Sequence, residues 1–231
     1  MLAMDPILKE RQERIDRMHV FQPRETALLV IDMQCGFMEP GASLEVAAAR
    51  DITPNIRRLI DLCRAKSAPV IFTEFVYASS VPCLRGDPFG VEHLPVVPGE
   101  PTGFGHPSNN CLIGPGADPG VESADTIKEL APLPHELVVR GHTYDKFYGT
   151  PLDLALRSQG IRYLIMTGIT TDVCVNSTLI AATSRNYRVT AVTDGMASPW
   201  PELHDACFKI WQPKFARLKT TDECLEELRE F

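Results

Sequence analysis

The stretch from Tyr163 to Val175 reads YLIMTGITTDVCV, and it decides the fold class. Its first five residues form a continuous apolar run, which is typical of a strand buried on both faces of a parallel sheet. A glycine follows at Gly168, and a helical pattern then extends from Asn176 to about Asn186. A buried strand that leads through a short turn into a helix is the repeating unit of α/β proteins.

The turn places a cysteine, Cys174, at the start of this helix. The free N–H groups and the partial positive charge of a helix N-terminus favour an anion. A thiol held there tends towards the nucleophilic thiolate. The position alone leaves a second interpretation open, because free cysteines are often small apolar residues of a core.

The same alternation of strands and helices occurs about six times along the chain, which predicts a parallel, doubly wound sheet with helices on both faces. The pattern predicts further strands at residues 26–32, 69–75, 136–140, 188–194 and 215–219. It predicts helices at residues 52–65, 123–130, 151–159, 201–211 and 221–229, the last with Thr221 as its N-cap.

The composition is that of a soluble globular protein and excludes several functions. The 231 residues are 44% hydrophobic and 23% charged, and the net charge of −7 argues against a nucleic-acid partner. We find no apolar run that is long enough to span a membrane and no signal-peptide pattern. The seven cysteines lack paired spacing and C-x-x-C motifs, which predicts a reduced, cytoplasmic location and no zinc site.

We expect the chain to consist of two parts, a short N-terminal arm and one domain. Residues 1–22 form a charged helical arm, which either lies in solvent or packs on another subunit. Residues 23–231 form a single catalytic domain. Within that domain, residues 76–120 are rich in proline and glycine and show little periodicity, and so long a loop usually shapes a binding site.

Reactive or charged side chains follow three of the predicted strands. Asp32 ends the first strand, the stretch from Arg140 to Lys146 follows the third, and Cys174 follows the fourth. In open parallel sheets, functional groups collect at the carboxyl ends of the strands. We therefore expect these side chains to share one site.

The motifs at these three strand ends resemble those of the isochorismatase-like cysteine hydrolase superfamily. They read VIDMQ at Val30–Gln34, YDKFYGTPLD at Tyr144–Asp153 and TGITTDVCV at Thr167–Val175. The resemblance implies a single-domain, Rossmann-like, three-layer α/β/α fold with a six-stranded parallel sheet, and a homodimer or homotetramer. It is strongest to the branch that acts on carbamoyl and ureido compounds, such as N-carbamoylsarcosine, biuret and ureidoacrylate.

The resemblance also implies roles for individual residues. Cys174 would attack a small amide or ureide and form a thioester-type intermediate, and Asp32 would act as the general base. The backbone N–H groups of Thr170 and Cys174 would hold the oxyanion, and the peptide bond between Ile169 and Thr170 would be cis. We expect further substrate contacts from Gln34, Phe37, Glu74, Tyr148 and Thr171.

In this superfamily the aspartate and the cysteine form a triad with a lysine. This lysine has no counterpart at its usual position, where the sequence has Gly141. Arg140 could supply the positive charge, Lys146 could reach the site from the other side, or the charge could be missing. We favour the third interpretation. It motivates an alternative function, namely a catalytically silent member that binds a ligand or partner.

We expect no cofactor and no metal. His93 and His106 are too far apart in an irregular loop to be convincing ligands. An NAD-dependent enzyme would also fit the strand–helix alternation, but the chain lacks the glycine fingerprint of a dinucleotide site.

Overall fold

The computed structural model describes residues 6–78, 95, 97–100 and 108–231. A six-stranded parallel sheet forms the centre of this part of the chain, in the spatial order β5-β2-β1-β6-β7-β8. The strands are β1 (Thr26–Ile31), β2 (Val70–Phe75), β5 (Leu137–Gly141), β6 (Tyr163–Ile169), β7 (Arg188–Ala197) and β8 (Ala216–Lys219). Two short strands, β3 (Tyr77–Ala78) and β4 (Leu112–Ile113), pair separately.

Seven helices are described, together with a 3₁₀ turn at Lys128–Leu130 and a π-helical turn at Thr171–Val175. The helices are α1 (Pro6–Met18), α2 (Cys35–Met38), α3 (Ala49–Ala65), α4 (Leu152–Ser158), α5 (Asn176–Ser184), α6 (Pro201–Trp211) and α7 (Thr221–Arg229). Within the described ranges, no helix combines the length and the apolar character that a membrane crossing requires.

The helices cover both faces of the sheet, as the sequence predicts. On one face, α3 and α7 bury apolar side chains such as Ile56 and Leu225 against the sheet. On the other face, α4, α5 and α6 contribute Leu156, Leu179 and Trp211 to a second cluster. The predicted three-layer α/β/α fold with a six-stranded parallel sheet is therefore confirmed.

The strand order changes direction between β1 and β6, and functional sites of such sheets lie at this point. Ile31 of β1 lies opposite Gly168 of β6 in the register of the two strands. Gly168 has φ of 115°, and a Cβ atom there would lie 2.1 Å from the carbonyl oxygen of Ile31. Only glycine allows the strands to stay paired so close to the site.

Two predictions about local structure are wrong. The helix predicted at residues 123–130 is reduced to the 3₁₀ turn, because Thr126 forms an antiparallel bridge with Gln34 and Ile127 donates to the carbonyl of Met33. The N-cap of α7 is Thr220, which forms a capping box with Glu223. The central part of the predicted pocket loop, including His93 and His106, lies outside the described residues.

Candidate active site

Asp32 immediately follows β1 and lies at the change in strand order. Its side chain has no exposed surface, and its φ of 51° is in the left-handed region that few side chains adopt. The hydroxyl of Thr73, on the neighbouring strand β2, donates to Oδ1 at 2.7 Å. The backbone N–H of Asp32 also donates to the carbonyl of Thr73. Both strands thus fix the orientation of this carboxylate.

Lys146 supplies a positive charge directly beside Asp32. Its Nζ lies 2.7 Å from Oδ2 of the carboxylate, and the two side chains are 1% and 0% exposed. The same Nζ donates to the carbonyl of Thr143 and lies 5.0 Å from the centre of the Phe75 ring. A buried ion pair with these additional contacts holds a charge that would be costly on its own.

The turn between β5 and α4 brings Lys146 to this position by docking on α5. The backbone N–H of Lys146 donates to the hydroxyl of Thr178, and that hydroxyl donates to the carbonyl of Tyr144. The hydroxyl of Thr150 donates to the carbonyl of Lys146 at 2.5 Å. The lysine therefore enters from the turn that follows β5 and not from the strand itself.

The structure does not support the other two interpretations, in which Arg140 supplies the charge or the charge is missing. Arg140 donates to the buried carboxylate of Glu74 at 2.8 Å and also pairs with Asp125, so its charge is directed away from Asp32. Gly141 lies within β5, opposite Phe75, and a Cβ atom there would be 3.0 Å from Thr150. The charge is not missing, because Lys146 provides it.

Cys174 lies in the π-helical turn that connects β6 to α5, and its side chain is 7% exposed. The bond between Ile169 and Thr170, which precedes this turn, is cis, as the family resemblance of the motifs implies. The N–H of Val175 donates to the carbonyl of Thr170 across the turn. The sheet order therefore brings Asp32 and Cys174 to adjacent strand ends.

Burial raises the pKa of the Cys174 thiol well above its ordinary value. Hydrogen bonding to Asp32 and the charge of that carboxylate raise this pKa further, whereas Lys146 and the backbone N–H of Thr170 lower it. The raised pKa favours the protonated thiol, whereas a helix N-terminus by itself favours the thiolate. A protonated thiol next to a carboxylate needs that carboxylate as a base.

A cavity of about 530 Å³ opens next to Cys174. Its volume is in the range of small-molecule sites. The described part of its wall is mainly apolar and aromatic, with a few polar groups: Phe37, Ser43, Leu44, Glu45, Val46, Phe75, Tyr144, Thr170, Asp172, Val173, Cys174, Pro199 and Trp200.

Of the five residues predicted to contact the substrate, only Phe37 lines this cavity. Thr170, which is predicted to hold the oxyanion, also lines it. Gln34 is fully buried and uses its amide to bind the backbone of Phe75 and Ala124. Glu74 accepts hydrogen bonds from the backbone and hydroxyl of Thr126 and from Arg140. These two polar side chains hold the strand ends together and do not face the cavity.

Thr171 and Tyr148 also lie away from the cavity wall. The hydroxyl of Thr171 is within 2.8 Å of Nδ1 of His204 on α6, and the side chain is fully buried. Tyr148 is 60% exposed on the turn before α4. As substrate contacts, these two assignments are not supported by the geometry.

The sequence analysis did not single out Phe75, Tyr144, Asp172 and Trp200 as cavity residues. Phe75 ends β2, Tyr144 lies in the turn after β5, and Asp172 lies two residues before Cys174. Their proximity to the carboxyl ends of strands is the signal that could have identified them. Trp200, which precedes α6, offered no such signal.

Comparisons with known proteins agree with this fold. The isochorismatase domain model matches residues 26–223. A cysteine hydrolase from Pseudomonas syringae pv. phaseolicola superposes with a TM-score of 0.72 at 22% identity, over 91% of this chain and 95% of that one. An N-carbamoylsarcosine amidase from Thermoplasma acidophilum gives 0.63 at 28% identity, over 86% and 97%.

A nicotinamidase from Staphylococcus aureus also shares the fold, with a TM-score of 0.63 at 18% identity over 85% of this chain and 99% of that one. The fold and the site define the class of isochorismatase-like cysteine hydrolases. The chain belongs to the isochorismatase family.

Proposed function

We propose that this protein is a cysteine-dependent amidohydrolase that cleaves a C–N bond of a small amide, carbamoyl or ureido compound. The observation that carries this proposal is the convergence of Asp32 and Lys146 on Cys174, which lines the cavity. The similarity to an N-carbamoylsarcosine amidase and to a nicotinamidase supports the type of bond.

In the first half-reaction, Asp32 removes the proton from the Cys174 thiol, and the sulfur attacks the carbonyl carbon. The tetrahedral intermediate collapses when Asp32 returns that proton to the leaving nitrogen, which departs as ammonia or an amine. A thioester on Cys174 remains. In the second half-reaction, Asp32 takes a proton from water, the hydroxide attacks the thioester, and the Cys174 sulfur leaves and is reprotonated.

Lys146 keeps this proton transfer possible in a site that water hardly reaches. The carboxylate of Asp32 has no exposed surface, so the ammonium of Lys146 replaces the water that would otherwise solvate its charge. The ammonium lies 2.7 Å from Oδ2 of Asp32, and its charge also lowers the pKa of Cys174. The ion pair therefore prepares both partners of the first step.

The backbone N–H groups of Thr170 and Cys174 are our candidates for the oxyanion donors. Thr170 lines the cavity, and its backbone N–H lowers the pKa of the Cys174 thiol. The oxyanion would form on the carbon that bonds to this sulfur, and it would therefore lie close to the same group. Such fixed donors contribute about 3 kcal/mol to transition-state stabilisation.

A catalytically silent protein is the less favoured function. That alternative rested on a missing positive charge, and Lys146 now occupies the place beside Asp32. The homodimer or homotetramer implied by the resemblance stays a prediction, which light scattering on the purified protein would test.

The experiment is a panel of small amides, carbamoyl compounds and ureides with release of ammonia as the readout. We expect at least one member to be hydrolysed, and Cys174→Ser to reduce its turnover by about 10³-fold or more. Cys35→Ser is the matched control, because Cys35 is half-buried and outside the described cavity wall. Unchanged ammonia release by Cys174→Ser would contradict the proposal.

A further inference from the structure

We propose that Asp172 selects substrates that carry a positively charged nitrogen, such as an alkylammonium group, in addition to the amide that is cleaved. This inference rests on the proposed function and deepens it, because it names the charge of the substrate. It concerns a side chain that takes no part in the proton transfers described above.

Asp172 lies in the π-helical turn and lines the cavity. Its Oδ1 is buried and has no hydrogen-bond partner, and no lysine or arginine of the described residues forms an ion pair with it. A buried carboxylate oxygen without a partner is costly. A donor on a bound molecule would remove this cost.

His204 does not neutralise Asp172. The imidazole is close enough for Asp172 to raise its pKa slightly, but burial lowers that pKa overall. The ring is therefore neutral near pH 7, and its Nδ1 is already engaged with the hydroxyl of Thr171. The negative charge of Asp172 remains available to a ligand.

The aromatic side chains of the same cavity also favour a cation. Phe37 and Phe75 have ring centres 6.2 Å apart, Tyr144 stacks on Phe75 at 5.9 Å, and Trp200 completes the described aromatic wall. Faces of aromatic rings attract ammonium groups, and cavities that combine several rings with a carboxylate are suited to alkylated amines. Lys146 already lies over one face of Phe75, so the remaining rings would serve the ligand.

The described wall of the cavity offers nothing that would bind a substrate carboxylate. It contains no lysine or arginine, and the side chain of Lys146 is 1% exposed and paired with Asp32. The second carboxylate of the wall, Glu45, is already compensated by Arg50 at 2.8 Å and by the backbone N–H of Gly41. Asp172 is thus the uncompensated charge, and an anionic substrate would be repelled by it.

The charge of Asp172 divides the proposed substrate class. Compounds with a carboxylate, such as N-carbamoylsarcosine, would bind poorly, whereas amides and ureides that bear an amine would bind well. The affinity of uncharged compounds would lie between the affinities of these two groups.

The test uses three primary amides of similar size. Glycine betaine amide carries a trimethylammonium group, 3,3-dimethylbutanamide replaces the charged nitrogen by carbon, and succinamate carries a carboxylate. We expect kcat/KM for ammonia release to be about tenfold or more higher for the cation than for its neutral isostere, and lowest for the anion. A ratio of cation to isostere near or below one would overturn the inference.

Two variants assign the preference to Asp172. In Asp172→Asn, the ratio of the two kcat/KM values should fall to near one. Asp205→Asn removes an exposed charge near the same histidine without touching the cavity wall, and it should leave the ratio unchanged. A preference that persists in Asp172→Asn would overturn the inference.

A binding measurement separates this inference from the proposed function. Calorimetry on the Cys174→Ser protein should show the cation binding about tenfold more tightly than the isostere, and Cys174→Ser/Asp172→Asn should lose the difference. Binding with this preference but no turnover of any amide would refute only the proposed function. Equal binding, or no binding of either compound, would overturn the role of Asp172.

Discussion

At the scale of single residues, Lys146 places a positive charge 2.7 Å from the carboxylate of Asp32. Asp32 and Cys174 were found because each follows a continuous apolar run, and the ends of parallel strands meet at one edge. Lys146 lies in a turn without periodicity, so nothing in its spacing indicates the direction of its side chain. Its position depends on hydrogen bonds with Thr178 and Thr150, which a pattern along the chain cannot show.

The same limit explains the wrong assignments of Gln34 and Glu74. Both are polar residues near the ends of buried strands, and this position suggested substrate binding. Each instead satisfies backbone groups that the irregular connections leave without partners. A buried polar side chain can bind a ligand or complete the hydrogen bonding of the fold, and only the surrounding backbone distinguishes these roles.

The first prediction concerns the two cations near the site. Lys146→Met should lower kcat by about 10³-fold, because the buried carboxylate of Asp32 would lose the ammonium that pairs with it at 2.7 Å. Arg140→Met is the matched control, since it also removes a cation from a buried carboxylate, that of Glu74. It should retain activity within a few-fold.

Lys146→Arg keeps the charge and guards against a loss of activity that reflects unfolding alone. Circular dichroism and steady-state kinetics of the three variants are the measurements. If Arg140→Met lost activity and Lys146→Met kept it, the assignment of the triad would be contradicted.

At the scale of elements, periodic segments were predicted well and segments held by tertiary contacts were not. The helix α6 has the predicted bounds, because its sequence alone is sufficient to define it. Residues 123–127 also favour a helix locally, but they are drawn into extended pairing with Gln34 and Met33. Long-range hydrogen bonds here outweigh a local preference that is worth only tenths of a kcal/mol per residue.

The second prediction concerns the docking of α1. Burial lowers the pKa of His19 from 6.5 to about 4, and His19 contacts the carbonyl of Ile15 at 2.8 Å. Between these two pH values the unfolded chain binds a proton that the folded chain does not. The free energy of unfolding should therefore fall as the pH is lowered through this range.

Urea unfolding at several pH values from about 6.5 to 5 measures this effect, in a range above the ordinary pKa of carboxyl groups. The free energy of unfolding of His19→Gln should decline less steeply with falling pH than that of the unmodified protein. His135→Gln, which replaces an exposed histidine, is the control and should behave like the unmodified protein. Equal slopes for His19→Gln and the unmodified protein would refute the assignment.

At the scale of the whole molecule, the order of the strands creates the site. The change in direction between β1 and β6 brings together residues that are 142 positions apart, Asp32 and Cys174, counted from their numbers 32 and 174. The turn after β5 then contributes Lys146 from the other side of β2. The parallel sheet and this edge were predictable from the alternation of strands and helices, whereas the cavity walls come from connections that lack such a pattern.

The whole arrangement has one chemical consequence that can be measured directly, a covalent intermediate on Cys174. A substrate identified in the panel is mixed with the protein, the reaction is stopped with acid during steady state, and the digested protein is analysed by mass spectrometry. The account predicts an acyl or carbamoyl adduct on the peptide that contains Cys174, with no adduct in Lys146→Met at the same time point. Turnover without any adduct on Cys174 under conditions that trap thioesters, or an adduct on another cysteine, would contradict the account.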